Sequence, residues 1–370
     1  MNFLNKNMNF FINWVRNLDK VILMLLFLWI IIGLILTTSS TLGFASLKLY
    51  NDSKILINKY YLFIFFAVII ITFASFFNET FYKRSSKIFF YISFFLLLLT
   101  LILGLEVKGS RRWLNLFFFN LQPVELLKPS LIIFLASIYS SNNSLIFKFS
   151  LSSVITISSI IILLLQPDYT QALIILVIWF IFIFMSGINL ILILLSISAA
   201  IGFMISILFF FKEKFSYIFA RFEKWLNVSD ISYQSEKSID AIINGGFWGR
   251  GIGEGFLKEK IPEAHTDYIL ASISEEFGII AIILILIIVF FLFMRVFAIC
   301  QTNISEFKKY VLVALSTTVL IQVFINVGVT INMLPPTGMP FAFLSYGGSS
   351  IITNAFIMGI ILSLTKKNYT

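Results

Sequence analysis

Three short stretches of an otherwise apolar chain carry side chains able to do chemistry. The first runs from Arg111-Arg112-Trp113 through Gln122-Pro123 to Glu125 and Lys128. At a spacing of three, Glu125 and Lys128 share one face of a helix. A plain intrahelical ion pair would account for them, although a lysine one turn into a membrane helix also calls for a buried partner or a ligand. The second is Pro262-Glu263-Ala264-His265-Thr266-Asp267-Tyr268, which sets the lone histidine and a carboxylate two residues apart, just before an apolar run. Thr266 or Asp267 could simply cap the helix that follows. Capping leaves Glu275 and Glu276 unexplained, nearly two turns further on, and Glu276-Phe277-Gly278 suggests a buried polar network there. The third has no charge at all: Asn326-Val327-Gly328, then Met333 to Pro340, then Ser345-Tyr346-Gly347-Gly348-Ser349-Ser350. Its small residues permit close helix packing, and its prolines also suit a broken-helix binding surface.

The elements that position these residues must lie in a bilayer. Of the 370 residues 59% are hydrophobic and 12% charged, with 44 phenylalanines, whereas a soluble domain has roughly a quarter of its residues charged. The net charge of +9 is dispersed in short groups between apolar runs. That placement fits control of membrane topology and argues against a nucleic-acid face. A single cysteine, Cys300, excludes an internal disulfide, and a single histidine excludes a two-histidine zinc site.

Apolar runs long enough to cross the hydrocarbon core, which takes about 20 residues, fall at 21–41, 58–77, 87–105, 125–141, 149–166, 170–186, 189–211, 269–294, 309–331 and 345–364. The expected fold is an all-α polytopic membrane protein of about ten transmembrane helices. The first run is too long for a signal-peptide core, so it is read as an uncleaved helix. Gln166-Pro167-Asp168 and Gly187-Ile188-Asn189 mark tight hairpins between abutting spans. An even number of spans puts both termini on one side. Segments on that side hold twelve basic residues against six in the short loops opposite, which makes residues 1–20 and 365–370 cytoplasmic. The piece 111–122, too short to span, suits a re-entrant segment buried in protein.

The long loop 212–267, between the seventh and eighth helices, then faces the opposite side. Phe215, Ile218, Phe219, Phe222, Trp225 and Leu226 recur at helical spacing with charges between them, as in an amphipathic helix on the membrane surface. Six glycines follow in 245–255. They let backbone approach a ligand closely or make a flexible linker. No Gly-Lys-Ser/Thr follows, so this is not a nucleotide phosphate loop.

Taken in order, these motifs resemble the SEDS family (shape, elongation, division and sporulation), and within it the FtsW branch, with RodA close behind. The family's signature appears as Gly109, Arg112-Trp113 and Gln122-Pro123-Val124-Glu125 with Lys128, where Val124 replaces the usual serine. Gln166-Pro167-Asp168, Tyr233-Gln234, the glycine run, His265-Thr266-Asp267 and Leu344 to Ser350 continue it. Pro262 to Asp267 and Glu106 to Trp113 are more similar to FtsW than to RodA.

The resemblance implies a peptidoglycan glycosyltransferase that polymerises lipid II into glycan strands at the periplasmic face during septal wall synthesis. It implies an inner-membrane location at the division septum, with a class B penicillin-binding protein transpeptidase and other division proteins as partners. The donor leaves as a lipid diphosphate, which needs cations near the outer boundary, and Arg112 and Lys128 suit that role. The acceptor hydroxyl needs a base, and Asp267 is the catalytic candidate. Gln122, Glu125, His265 and Ser349 join Arg112 and Lys128 as substrate-binding candidates. No cofactor is implied with certainty, no metal-ligand set is assigned, and a divalent cation stays open. The alternatives are a lipid II flippase, a RodA-like elongation polymerase and a non-enzymatic division scaffold.

Overall fold

The computed structural model describes residues 13–42, 47–107, 110–116, 119–189, 232–262 and 264–366, with isolated positions between 191 and 225. Its elements are α1 (Lys20–Leu42), α2 (Leu47–Phe76), α3 (Glu79–Leu103), β1 (Leu105–Val107), β2 (Ser110–Asn115), β3 (Asn120–Leu121), α4 (Pro123–Tyr139), α5 (Leu145–Leu165), α6 (Tyr169–Met185), α7 (Tyr233–Gly245), α8 (Ile269–Cys300), α9 (Glu306–Thr330) and α10 (Gly348–Leu364). A single 3₁₀ turn covers Lys258–Lys260.

Within α1, α2, α3, α5, α8 and α9 lie stretches of at least 18 residues that are apolar enough to cross a membrane; α6 and α10 are shorter apolar helices. Nine of the ten expected spans thus carry a helix. The span at 189–211 and the amphipathic stretch 215–226 lie almost wholly outside the described residues. The chain is a multi-pass membrane protein, and its outward surface agrees: Phe65, Phe73, Phe95 and Phe290 are exposed on three of these helices, as lipid-facing side chains are.

At the centre stands α4, almost entirely buried. Pro123 at its first position starts it without forfeiting a backbone donor. It packs on α3 and α9, while α2 runs along α10 and α1 along α8. One continuous apolar core joins them.

The piece between α3 and α4 is not re-entrant helix. It folds as a small antiparallel sheet in the order β1-β2-β3, with Leu105 opposite Trp113 and Leu114 opposite Leu121. Cross-strand pairing satisfies backbone groups of this segment that would otherwise lack partners. It also turns Leu114 inward and leaves Arg111 exposed. Among the described residues the architecture is therefore helical with this one sheet inserted.

The glycine run is not a free linker. It lies against a break in α8 at Gly278, whose φ of 76° departs from the helix. A Cβ on Gly249 would stand 2.1 Å from the carbonyl oxygen of Glu276, and one on Gly245 would stand 2.0 Å from that of Ser274. The backbone that the glycines approach is the chain's own.

Candidate active site

Gln122 is the N-cap of α4, held by its backbone N–H donating to Ser349 Oγ (3.1 Å) at the start of α10. Ser349 Oγ in turn donates to the carbonyl of Asn120 (2.8 Å), so three segments meet at one hydroxyl. The Gln122 side chain donates to Asp168 Oδ2 (3.3 Å) in the α5–α6 turn. Arg112, projecting from β2, donates to the carbonyls of Gln166 (3.1 Å) and Pro167 and stands 3.7 Å from Asp168. Burial pushes the Asp168 carboxyl above the ordinary carboxylate range, against the opposing pull of the Arg112 guanidinium.

One turn into α4, Lys128 Nζ donates to Glu125 Oε1 at 2.9 Å, and Gln171 Nε2 of α6 donates to the same oxygen at 2.9 Å. The expected partner of Lys128 is thus Glu125. Both side chains are only 2% exposed, whereas Arg112 is 26% exposed. Arg112 is therefore the more exposed cation of this centre. Glu125 Oε2 and Gln171 Oε1 are buried with no hydrogen-bond partner among the described residues, which leaves two unused acceptors in this centre.

His265 and Asp267 sit on the turn that leads into α8, both half-buried. The N-cap of α8 is Tyr268, not Thr266 or Asp267. The charge-free loop before α10 holds this turn in place. Tyr346 N–H donates to the carbonyl of His265 (2.9 Å), and Ser345 Oγ to that of Thr266 (2.5 Å). Asn326 of α9 donates to the carbonyls of Asp267 (3.0 Å) and Met339 (2.7 Å). Gly338, at a φ of 74° that favours glycine, passes so near that a Cβ there would be 3.7 Å from Asp267 Oδ2. Three consecutive carbonyls are fixed, so the carboxylate has a rigid base. The His265 ring lies 6.2 Å from that of Tyr346, beside a small cavity lined also by Thr37 and Tyr60.

Arg112, Gln122, Glu125, Lys128 and Ser349 thus form one network, and His265 and Asp267 lie on a second. The segment 345–349 ties them together. The small residues of that segment also pack tightly: a Cβ on Gly348 would stand 2.4 Å from the Phe63 ring. Sequence reasoning on single motifs misses Asp168 and Gln171, although the Gln-Pro-Asp turn itself points to the first. Among the described residues, no group of three or more His, Cys, Asp or Glu side chains is arranged to hold a metal ion.

A bundle of membrane-spanning helices with a rigidly held carboxylate and a buried charge network at one end defines a polytopic membrane protein built around a polar site. Residues 19–370 match the model of the cell cycle protein family of FtsW, RodA and SpoVE, and the chain belongs to that family. It is 30% identical to the probable peptidoglycan glycosyltransferase FtsW of Buchnera aphidicola subsp. Baizongia pistaciae, over 95% of this chain and 94% of that one. The fold is similar to the rod shape determining protein RodA of Thermus thermophilus, with a TM-score of 0.70 and 21% identity over 95% of this chain and 98% of that one. It is also similar to a chain of a peptidoglycan synthase complex described as coordinating polymerization and crosslinking. There the TM-score is 0.77, with 21% identity over 94% and 97% of the two chains.

Proposed function

We propose that this protein polymerises lipid II, the undecaprenyl-diphosphate-linked disaccharide pentapeptide, into glycan strands at the periplasmic face during septal wall synthesis. The observation that carries this reading is the coupling of the two polar networks through residues 345–349. A cation for a leaving diphosphate and a carboxylate for a nucleophile's proton are thereby held on one scaffold. The name of the Buchnera relative supports the same reaction.

Arg112 draws the donor diphosphate, backed by Lys128, and Gln122, Glu125, His265 and Ser349 shape the surroundings. Asp267 takes the proton of the acceptor sugar hydroxyl as that oxygen attacks the donor's anomeric carbon. The carbon–oxygen bond to the diphosphate breaks, the new glycosidic bond forms with inversion, and the polyprenyl diphosphate leaves with the electron pair. Asp267 is the residue that would hold a divalent cation, which would supply charge neutralisation for the leaving diphosphate. The partner is a class B penicillin-binding protein transpeptidase, acting with other division proteins. Reconstitution with labelled lipid II and that partner tests the proposal: glycan polymer is expected, and its absence in the presence of a competent partner would rule the activity out.

In that assay Arg112→Lys is expected to lower polymerisation at least about tenfold, because lysine keeps the charge but loses the planar fork that reaches Gln166, Pro167 and a diphosphate together. Unchanged rates would show that charge alone suffices. The orientation, with both termini cytoplasmic, rests on the bias of basic residues. Glu236→Cys on the exposed face of α7, in a Cys300→Ala background, is expected to react with a membrane-impermeant thiol reagent in intact spheroplasts. Reaction only after the membrane is breached would invert the topology.

A further inference from the structure

Two amide side chains, Gln322 and Asn326, sit one turn apart inside α9, and Thr330 continues the same face a turn further on. All three are buried. Polar side chains inside a membrane bundle bond across to other segments, and this stripe ties down those around Asp267. Gln322 Nε2 donates to the carbonyl of Pro340 (2.7 Å) and to Ser350 Oγ (3.1 Å) at the start of α10. The Thr330 carbonyl accepts from Ser238 Oγ of α7 (2.8 Å). Between them Asn326 Nδ2 reaches the carbonyls of Asp267 (3.0 Å) and Met339 (2.7 Å).

An amide nitrogen carries two protons, and Asn326 directs both at carbonyls of different segments. The orientation of the amide is fixed by those partners, since its oxygen in the same place would face two other oxygens. Asn326 Oδ1 is instead buried with no hydrogen-bond partner among the described residues. A buried acceptor left unpaired lowers stability, so holding the fold together is a poor account of this side chain. What asparagine supplies here is a pair of diverging donors on a short stem. Serine has one such donor, and glutamine would set the pair a methylene further out.

The two segments so joined meet at the carboxylate. A Cβ on Gly338, the neighbour of Met339, would stand 3.7 Å from Asp267 Oδ2. One amide therefore sets the separation between the backbone of Asp267 and the strap on which its carboxylate rests. The ties from Tyr346 and Ser345 act on the two residues before it, His265 and Thr266.

We infer that Asn326 is a positioning residue for Asp267, holding the carboxylate at the distance and angle at which it meets the acceptor hydroxyl. It acts through two backbone carbonyls rather than by touching substrate, and the inference rests on the proposed role of Asp267 as the base. A misplacement of about 1 Å costs up to about a hundredfold in rate. Losing the tether thus slows turnover and leaves donor binding, which belongs to the network of Arg112 and Lys128, in place.

Asn326→Ala tests this, with Thr330→Val as its control. Alanine leaves room for a water to satisfy the two carbonyls, so the fold is expected to persist without the tether. With labelled lipid II and the partner, kcat is expected to fall at least about tenfold while KM stays within about twofold. Asn326→Ser, which offers one proton instead of two, is expected to behave alike, and it carries the test if the alanine variant does not accumulate. Thr330→Val removes a buried hydroxyl from the same face, one that donates to the Asn326 carbonyl (2.8 Å). It is expected to lower the thermal midpoint and to leave kcat within about twofold. Parental kcat in the Asn326 variants would overturn the inference, as would a loss confined to KM or one that Thr330→Val shares at a matched thermal midpoint. Parental polymerisation from Asp267→Asn would instead remove the base itself. An inactive Asp267→Asn beside a parental Asn326→Ala would remove the positioning role alone.

Discussion

Asp267→Asn is expected to cut glycan polymerisation at least about a hundredfold, with expression and partner binding unchanged. Asparagine keeps the size and both hydrogen-bonding positions but cannot take a proton at working pH. Backbone carbonyls around position 267 are fixed: Asn326 bonds that of Asp267, Tyr346 that of His265 and Ser345 that of Thr266. None depends on the carboxylate, so the turn is expected to survive the exchange. Helix capping offers no rival explanation for a loss, because the cap of α8 is Tyr268. Asp267→Glu restores the charge but lengthens the side chain beside Gly338, and should recover little. Parental rates from Asp267→Asn, measured with labelled lipid II and the partner, would remove Asp267 from the mechanism. His265 would not inherit the role by default, since its backbone tie to Tyr346 suits an orienting group equally well.

Why some features are readable in the sequence and others are not comes down to the range of the interactions that make them. The spans are legible because each must be apolar over its own length, a local property that composition reports directly. The ion pair of Glu125 and Lys128 is legible for the same reason, since three residues apart on a helix is a contact. Asp168 and Gln171 are harder. Their partners Gln122 and Glu125 lie 46 residues away in sequence, and no spacing announces such a meeting. The sheet at 105–121 hides for another reason: at a membrane boundary a short apolar piece suits a re-entrant turn as well as a strand, and cross-strand pairing decides between them. The glycine run has the right property and an unexpected partner. Glycines permit close approach, but the approaching backbone is Glu276 to Gly278 of the same chain.

Lys258 shows the limit most clearly. Within Lys258-Glu259-Lys260 it looks like one of three solvated loop charges, and Glu259 and Lys260 are indeed exposed. Lys258 instead is fully buried, with its ammonium ion-paired to the equally buried Glu276. Its backbone N–H donates to Glu275 Oε2 (2.8 Å), while Phe256, Leu257 and Asn244 donate to Glu275 Oε1 (3.0, 2.9 and 3.1 Å). Glu275 is therefore held mainly by backbone donors, and Glu276 by Lys258 together with Gly253 N–H (3.2 Å). Lys258→Met should leave the Glu275 contacts standing and strand the Glu276 charge, at a cost of about 3–5 kcal/mol. A lower thermal midpoint of the detergent-solubilised protein and a lower membrane yield are the expected readings. Adding Glu276→Gln to the same chain removes the stranded charge, keeps an acceptor for Gly253, and is expected to restore most of the lost stability. A Lys258→Met protein as stable as its parent would show that the pair adds nothing to the fold. If the single variant is destabilised and the double variant is not rescued, Lys258 acts through its packed alkyl stem rather than its charge. Rescue of both stability and polymerisation by the double variant would separate this pair from the chemistry, which the buried position of Lys258 already sets apart from the half-exposed Asp267.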